Sequence, residues 1–329
     1  MSKSLTLPQL LAKAPALRIA NWLAFAKNAL LPTLGILLFL AIWHGVAKNI
    51  NTSLGQFPGP AQVWEQVNGL LSEHQAQREK AALFYAKQEA RNAERQAKDP
   101  SYVPKVRAFT GAPTFIDQIW TSLYTVAVGF FIASLVAVPM GILCGLSKSA
   151  YAAFNPVIQL FKPVSPLAWL PLVTMVVSAL YVSDDPMFSK SFVISAFTVS
   201  LCCLWPTLIN TAVGVSNIET DLINVSKVLR LSPMAHVFKI VLPSSIPMIF
   251  TGLRLSLGIG WMVLIAAEML AQNPGLGKFV WDEFQNGSSE SLARIMVAVL
   301  TIGAIGLVLD RLMLLVQKQV SWDKSAVLR

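Results

Sequence analysis

The stretch SNIETDLINVSKVLRLSPMAHVFKIVLPSSIP, residues 216–247, is polar, has helical patterning and lies between two long apolar segments. Ser216 and Glu219 fit the capping box S-x-x-E, which predicts that a first short helix begins here. Ser232 followed by Pro233 fits an N-cap with proline at the first helical position, which predicts a second short helix. Two capped helices between membrane segments favour a site where another protein docks.

The rest of the chain is dominated by apolar runs. Of its 329 residues, 54% are apolar and only 13% are charged, and the mean hydropathy is +0.57. This composition excludes an ordinary soluble domain. A spanning helix needs about 20 mostly apolar residues, so the sequence predicts an all-α polytopic membrane bundle with about six transmembrane helices. The candidate stretches are 29–48, 116–146, 153–182, 190–214, 245–271 and 291–316.

The third candidate span contains the proline-rich run LFKPVSPLAWLPLV, residues 160–173. Proline lacks a backbone N–H and disrupts a helix, so this run predicts a broken or bent helix. The break could line a translocation path or merely bend a helix, and the first interpretation is favoured modestly. In the second span, Gly141 and Gly145 form a small-xxx-small pair that permits close helix packing.

The charges of the short loops predict the orientation of the chain. Loops with an excess of Lys and Arg stay in the cytoplasm. Segment 1–28, the elbow (residues 216–243) and the tail 321–329 have such an excess, so both termini are expected in the cytoplasm. Segment 1–28 is predicted to be an interfacial helix or a disordered tail, which leads into the first transmembrane helix at 29–49.

Segment 50–115 is a long charged insertion on the predicted periplasmic side. Long loops cross the membrane regardless of their charge, so the insertion does not contradict the orientation. Residues 60–98 are mostly helix formers and predict a long helix. This helix could contact the membrane core, touch a binding protein or stand solvated, and the solvated arrangement is favoured. The transmembrane core is assigned to 116–320.

The elbow has an apolar stripe at helical spacing, formed by Leu222, Val225, Val228 and Leu229. An ordinary amphipathic cytoplasmic loop would show the same stripe. The elbow also resembles the coupling loop of ABC importer permeases, whose pattern reads roughly EAA-x-x-x-G-x9-I-x-LP. The matching residues are Asn224, Val225, Ser226, Arg230, Ile240, Leu242 and Pro243.

The resemblance covers about residues 29–49 and 116–320. The stretches 206–233, 251–286 and 305–313 look like permeases for nitrate, bicarbonate and the sulfonate/taurine group, and they are most similar to the nitrate permeases. Two positions depart from the wider family. Asn224 replaces the acidic residue, and Arg230 replaces a glycine at a bend where glycine would relieve backbone strain. The missing glycine looks typical of the nitrate subgroup.

The resemblance implies a type I ABC importer permease in a bacterial inner membrane, working as a homodimer. It implies nucleotide-binding ATPase subunits docked on the elbow and a periplasmic or lipid-anchored substrate-binding protein. ATP and Mg²⁺ would lie on the partner subunits, with no cofactor in this chain. The implied substrate is a small inorganic anion, nitrate first, with nitrite, cyanate, bicarbonate and sulfonates or taurine as alternatives. The implied coupling residues are Leu222, Asn224, Val225, Ser226, Val228, Leu229, Arg230 and Pro233.

Ionisable residues inside spans are energetically expensive and are therefore candidates for the substrate path. Arg254 and Glu268 share the fifth span and lie about 21 Å apart along its axis, so they cannot pair with each other. Arg254 could attract an oxyanion or pair with Asp310, and the ion pair is favoured. Glu268 is expected to fix local structure through a cation or backbone amides. Lys162 could serve the anion or extend to the interface.

The sequence shows no catalytic or metal-binding arrangement. Its three histidines are not spaced with other ligands, and its three cysteines lie in apolar runs. It has no G-x4-GK[ST] phosphate loop, so ATP hydrolysis is expected on separate subunits. An ATPase-independent secondary transporter is disfavoured because repeated halves and a proton relay are lacking. An intramembrane enzyme is disfavoured because HExxH and paired carboxylates are lacking.

Overall fold

The computed structural model describes residues 30–52, 55–182, 187–288 and 290–320. The predicted interfacial segment 1–28 and the tail 321–329 lie outside the described residues. The regular secondary structure of the described residues is helical apart from one short strand pairing, which confirms the all-α prediction. It divides into two compact units, residues 1–65 and 66–329.

The described part of the first unit holds one membrane-length helix and a small hairpin. Helix α1 (Leu30–Asn49) is 20 residues long and apolar enough to cross a membrane. Strand β1 (Asn51–Thr52) pairs antiparallel with β2 (Gly55–Gln56). The indole N–H of Trp43 donates to the Pro58 carbonyl at 3.1 Å, which attaches the chain after the hairpin to α1.

The second unit contains the other spans. Helices α3 (Phe115–Leu146), α6 (Lys190–Ser216) and α11 (Ser291–Val320) are each of membrane length, as is the continuous run Pro233–Ala271. With α1, the described residues therefore contain five such helices, or six if one bent pair is counted as a span. This agrees with the prediction of about six transmembrane helices.

The bent pair corrects the span predicted at 153–182. Helix α4 (Lys148–Phe161) and helix α5 (Pro166–Leu180) are bent by 100° relative to each other, so no straight helix crosses here. The break falls inside the proline-rich run, as predicted. Its physical cause is local, because prolines 163 and 166 lack the N–H groups that would continue the helix. Ser165 then caps α5, its hydroxyl accepting from the Leu167 amide at 3.3 Å.

Helices α3, α6 and α9 (Leu242–Ala271) form the core, around buried residues such as Val199, Cys203 and Leu264. Glycines on α3 let α6 approach closely. A Cβ added at Gly141 would lie 2.8 Å from the Leu208 carbonyl oxygen. A Cβ at Gly145 would lie 2.8 Å from the Ala212 carbonyl oxygen, so both glycines serve the close packing predicted for them.

The helix predicted in the insertion is present as α2 (Pro60–Lys98). A strap, residues 99–114, returns along it. The Phe109 amide donates to the Tyr85 hydroxyl at 3.1 Å, and the Arg107 amide donates to Gln88 Oε1 at 2.9 Å. The helix and strap therefore form one hydrogen-bonded arm rather than a lone solvated helix.

The base of this arm is fixed to the membrane helices. Arg294 near the start of α11 holds both carboxylate oxygens of Glu73, at 2.6 and 3.1 Å. The same guanidinium donates through Nε to Glu283 of α10 (Leu276–Asn286) at 2.6 Å. Arg78 also pairs with Asp117 at the start of α3. The solvated arrangement favoured from sequence is therefore wrong for the base of the helix, because paired charges fix it to the core.

Candidate coupling elbow and substrate path

The elbow contains a separate first helix, α7 (Thr220–Val228). The predicted capping box at Ser216 and Glu219 is absent. Ser216 is the last residue of α6, and its hydroxyl donates to the Val213 carbonyl at 3.0 Å. Glu219 occupies the N-cap of α7 without a side-chain hydrogen bond. The helix before the elbow extends further than its apolar pattern indicated, which removes Ser216 from the capping position.

The second predicted helix begins as expected, but it does not end before the fifth span. The Ser232 hydroxyl accepts from the Ala235 amide at 3.3 Å, and α8 (Pro233–His236) begins at the proline. A π-helical turn, Val237–Val241, then leads into α9. The result is one helical run of 39 residues from Pro233 to Ala271. The elbow is thus connected directly to a transmembrane helix.

The bend between α7 and α8 lies at Arg230, which has a left-handed backbone with φ of 45°. A residue with a Cβ is strained in this region and glycine is not. The prediction that Arg230 occupies a glycine-preferring bend is therefore confirmed. The Leu231 amide donates to the Ser226 carbonyl at 3.1 Å, which closes the bend.

The elbow exposes several large apolar side chains. Val228 is 81% exposed and Leu229 is 62% exposed. The other exposed apolar residues of the elbow are Leu222, Val225, Met234 and Phe238. Of the remaining predicted coupling residues, Asn224, Arg230 and Pro233 are also exposed. Large apolar groups exposed together mark a contact surface for another protein or for the membrane.

Ser226 differs from the other predicted coupling residues because it is buried. Its hydroxyl is 2.7 Å from Nδ1 of His236, and this contact joins α7 to α8 across the bend. Sequence reasoning missed His236, which it considered only as an unlikely metal ligand. The side chain occupies the last position of α8, where no motif distinguishes it from an ordinary surface histidine.

Arg254 forms the ion pair that was favoured from sequence. Its Nη2 and Nε donate to Asp310 Oδ1 of α11 at 2.8 and 3.1 Å. The pair lies beside a cavity of about 220 Å³ between α9 and α11. Arg254 is thus compensated by a neighbouring helix in this structure.

Glu268 is fully buried near the end of α9 and accepts hydrogen bonds from neutral groups. The Ser122 hydroxyl lies 2.8 Å from each carboxylate oxygen, and the Gly277 amide donates at 3.0 Å. Ser122 in turn accepts from the Leu276 amide at 2.8 Å, so the cluster links α3, α9 and α10. The expected bond to a backbone amide is therefore confirmed. Ser122 had no signal in the sequence, since serine is common in spans.

Lys162 lies at the break between α4 and α5 and lines a cavity of about 470 Å³. Ser165 and Asn210 line the same cavity, with the rings of Trp169 and Trp205. Arg254, Glu268 and Lys162 thus occupy three different environments, and the structure does not bring them together. Within the described ranges, no group of three or more His, Cys, Asp or Glu side chains could hold a metal ion.

The fold defines the class of the protein, which is a polytopic membrane protein with an exposed helical elbow. Residues 137–322 match the model of the family described as "Binding-protein-dependent transport system inner membrane component". The chain belongs to this family, which confirms the resemblance to ABC importer permeases.

Named permease subunits and solved transporter structures are similar to the chain. The nitrate import permease protein NrtB of Leptolyngbya laminosa is 37% identical over 208 residues, which are 63% of this chain and 70% of the relative. The bicarbonate transport system permease protein CmpB of Synechococcus elongatus is 32% identical over 312 residues, which are 94% of each chain. A chain of the MetNI methionine ABC transporter in an inward-facing conformation has a TM-score of 0.53 at 14% identity, covering 63% of this chain and 96% of that one. This last likeness supports the type I fold.

Proposed function

We propose that this chain is the permease subunit of an ATP-driven importer of a small inorganic oxyanion, with nitrate as its substrate. The observation that carries the proposal is the exposed apolar elbow in a chain of this transporter family. The named relatives support an anion, since they are permeases for nitrate and bicarbonate.

Bicarbonate is the second candidate, and one observation favours it. The similarity to the bicarbonate permease extends over 94% of both chains. The similarity to the nitrate permease covers 63% of this chain. Labelled uptake of each anion at low micromolar concentration, in a strain with and without the gene, distinguishes the two substrates. Loss of nitrate uptake on deletion, with recovery on restoration, supports nitrate, and unchanged nitrate uptake moves the substrate to bicarbonate or another anion of the group.

The proposed partners follow from the same mechanism. Two copies of the chain form the path, nucleotide-binding ATPase subunits dock on the elbow, and a periplasmic or lipid-anchored binding protein delivers the anion. ATP and Mg²⁺ bind to the ATPase subunits. The chain resides in the bacterial inner membrane with both termini and the elbow in the cytoplasm. Co-purification with an ATPase subunit tests this against an ATPase-independent transporter.

The mechanism is alternating access driven through the elbow. ATP closes the ATPase subunits on each other, and their movement displaces α7. Because α8 continues into α9 without a break, this displacement reaches the membrane core through one rigid element. Arg254 and Glu268 contribute to the path by holding α9 against α11 and α3, through the contacts described above.

The coupling assignment is tested by charge on the exposed apolar face. Val225→Asp and Leu229→Asp should insert into the membrane normally but lose ATP-driven uptake, since an apolar contact with the ATPase would have to bury a carboxylate. Thr220→Asp is the matched control, because it adds the same charge at the exposed first position of α7, where an acidic group is favourable. Normal uptake by both test variants would contradict the assignment.

A further inference from the structure

The cavity at the break between α4 and α5 combines an unpaired charge with open volume. Lys162 forms no ion pair with any described residue, whereas Arg254 is paired with Asp310. Glu268 carries the wrong sign to attract an anion and is enclosed by its hydrogen-bond partners. Of the three ionisable residues predicted for the path, Lys162 is thus the one whose charge is available to a ligand.

The size and lining of the cavity fit a small hydrated oxyanion. Its volume of about 470 Å³ exceeds the ~30 Å³ that one water occupies in the liquid, so an anion and several waters fit together. Ser165 and Asn210 supply polar groups beside Lys162, and two tryptophan rings supply apolar walls. An apolar wall strengthens the attraction between the ammonium group and an anion, because it excludes water from part of the surroundings.

The break itself adds to the positive potential. Helix α5 begins at Pro166, and both Ser165 and Pro166 line the cavity. The N-terminus of a helix carries a partial positive charge, and broken membrane helices place such ends beside anionic substrates in other transporters. One full charge and the first residues of a helix thus line the same cavity.

We propose that this cavity is a transient binding site for the transported oxyanion, with Lys162 as the residue that contacts it. The proposal rests on the proposed function and adds a position for the anion inside the subunit. One uncompensated cation gives weak binding, which suits a subunit that must release the anion to the cytoplasm. Neutral and larger organic substrates would gain little from this arrangement.

The test uses the complete transporter, with its ATPase subunits and binding protein, in proteoliposomes. Lys162→Gln should lower the maximal uptake rate of nitrate at least tenfold. The nitrate concentration at half-maximal uptake should stay unchanged, because the binding protein sets it. ATP hydrolysis stimulated by the loaded binding protein should stay within twofold of wild type. Lys162→Arg should retain uptake, and so should the control Lys148→Gln, which removes an exposed charge at the start of α4 outside the cavity.

Three outcomes overturn the proposal. Lys162→Gln could transport as fast as wild type, or it could lose ATP hydrolysis together with uptake. Lys162→Arg could fail as completely as Lys162→Gln, which would indicate a structural requirement for lysine. A wild-type transporter that moves neither nitrate nor bicarbonate would instead contradict the proposed function, and that result is visible before any variant is made.

Discussion

Replacing Gly141 by alanine should separate two helices that now touch. Gly141 lies on α3 where α6 crosses it, and an added Cβ would lie 2.8 Å from the Leu208 carbonyl oxygen and 2.6 Å from Thr211 Cβ. Side-chain carbons normally remain at about 3.5 Å or more from such atoms. The helices would therefore have to move apart by about 0.7–0.9 Å at this point.

The energetic cost follows from that movement. Overpacking a close-packed interface costs about 1–3 kcal/mol, and the upper end applies because one of the obstructing atoms belongs to the backbone. Alanine recovers up to about 1 kcal/mol through its higher helix propensity. The expected net loss in the free energy of unfolding is about 2 kcal/mol.

The assay is unfolding in mixed micelles of increasing SDS content, followed by circular dichroism. Gly303→Ala on α11 is the matched control, because no atom lies within 4 Å of the Cβ that it would add. The control should be as stable as the wild type or more stable by up to about 1 kcal/mol. Equal stability of the two variants would refute the argument that Gly141 sets the α3–α6 distance.

Three further changes test other parts of the structure. Arg230→Gly should relieve the left-handed strain and stabilise the elbow by about 1 kcal/mol, measured as slower hydrogen exchange of α7; faster exchange would contradict this. Ser226→Ala should lower the number of anions moved per ATP about fivefold, because it removes the hydrogen bond to His236 and a bond of about 1 kcal/mol corresponds to such a factor. His236→Asn, which can still bond to Ser226, should retain most coupling. Arg294→Met should release the arm from the core, seen as faster proteolysis of α2, whereas Arg91→Met should not.

Apart from the bent pair α4–α5, the sequence predicts the spans well, because each is a long apolar run whose length is fixed by the bilayer. It predicts the break near residue 163 for a local reason, since two prolines three positions apart, Pro163 and Pro166, both lack the N–H groups that would continue the helix. The αL bend at Arg230 was visible from the family pattern alone. These features depend on a few neighbouring residues, and they can therefore be predicted from the sequence without knowledge of the fold.

The features that the sequence did not reveal depend on the position of a helix end or on distant partners. Ser216 failed as a cap because α6 continues to it, and helix ends commonly shift by one or two residues. Ser122 meets Glu268 from 146 positions away, and Glu73 meets Arg294 from 221 positions away. No local pattern identifies such pairs. The cavity beside Lys162 likewise exists only once α5, α6 and α9 are assembled.

The π-helical turn at Val237–Val241 affects the direction in which the elbow points relative to α9. Its last bond runs from the Leu242 amide back five residues to the Val237 carbonyl, so it holds one residue more than an α-turn. Deleting one residue there would restore α-helical phase and turn the elbow by about 100° about the axis of α9. The elbow would keep its internal hydrogen bonds, but its apolar face would point in a different direction around the axis of α9. The direction in which the exposed apolar face of the elbow points is thus set by one additional residue in the π-helical turn, separately from the sequence of the face itself.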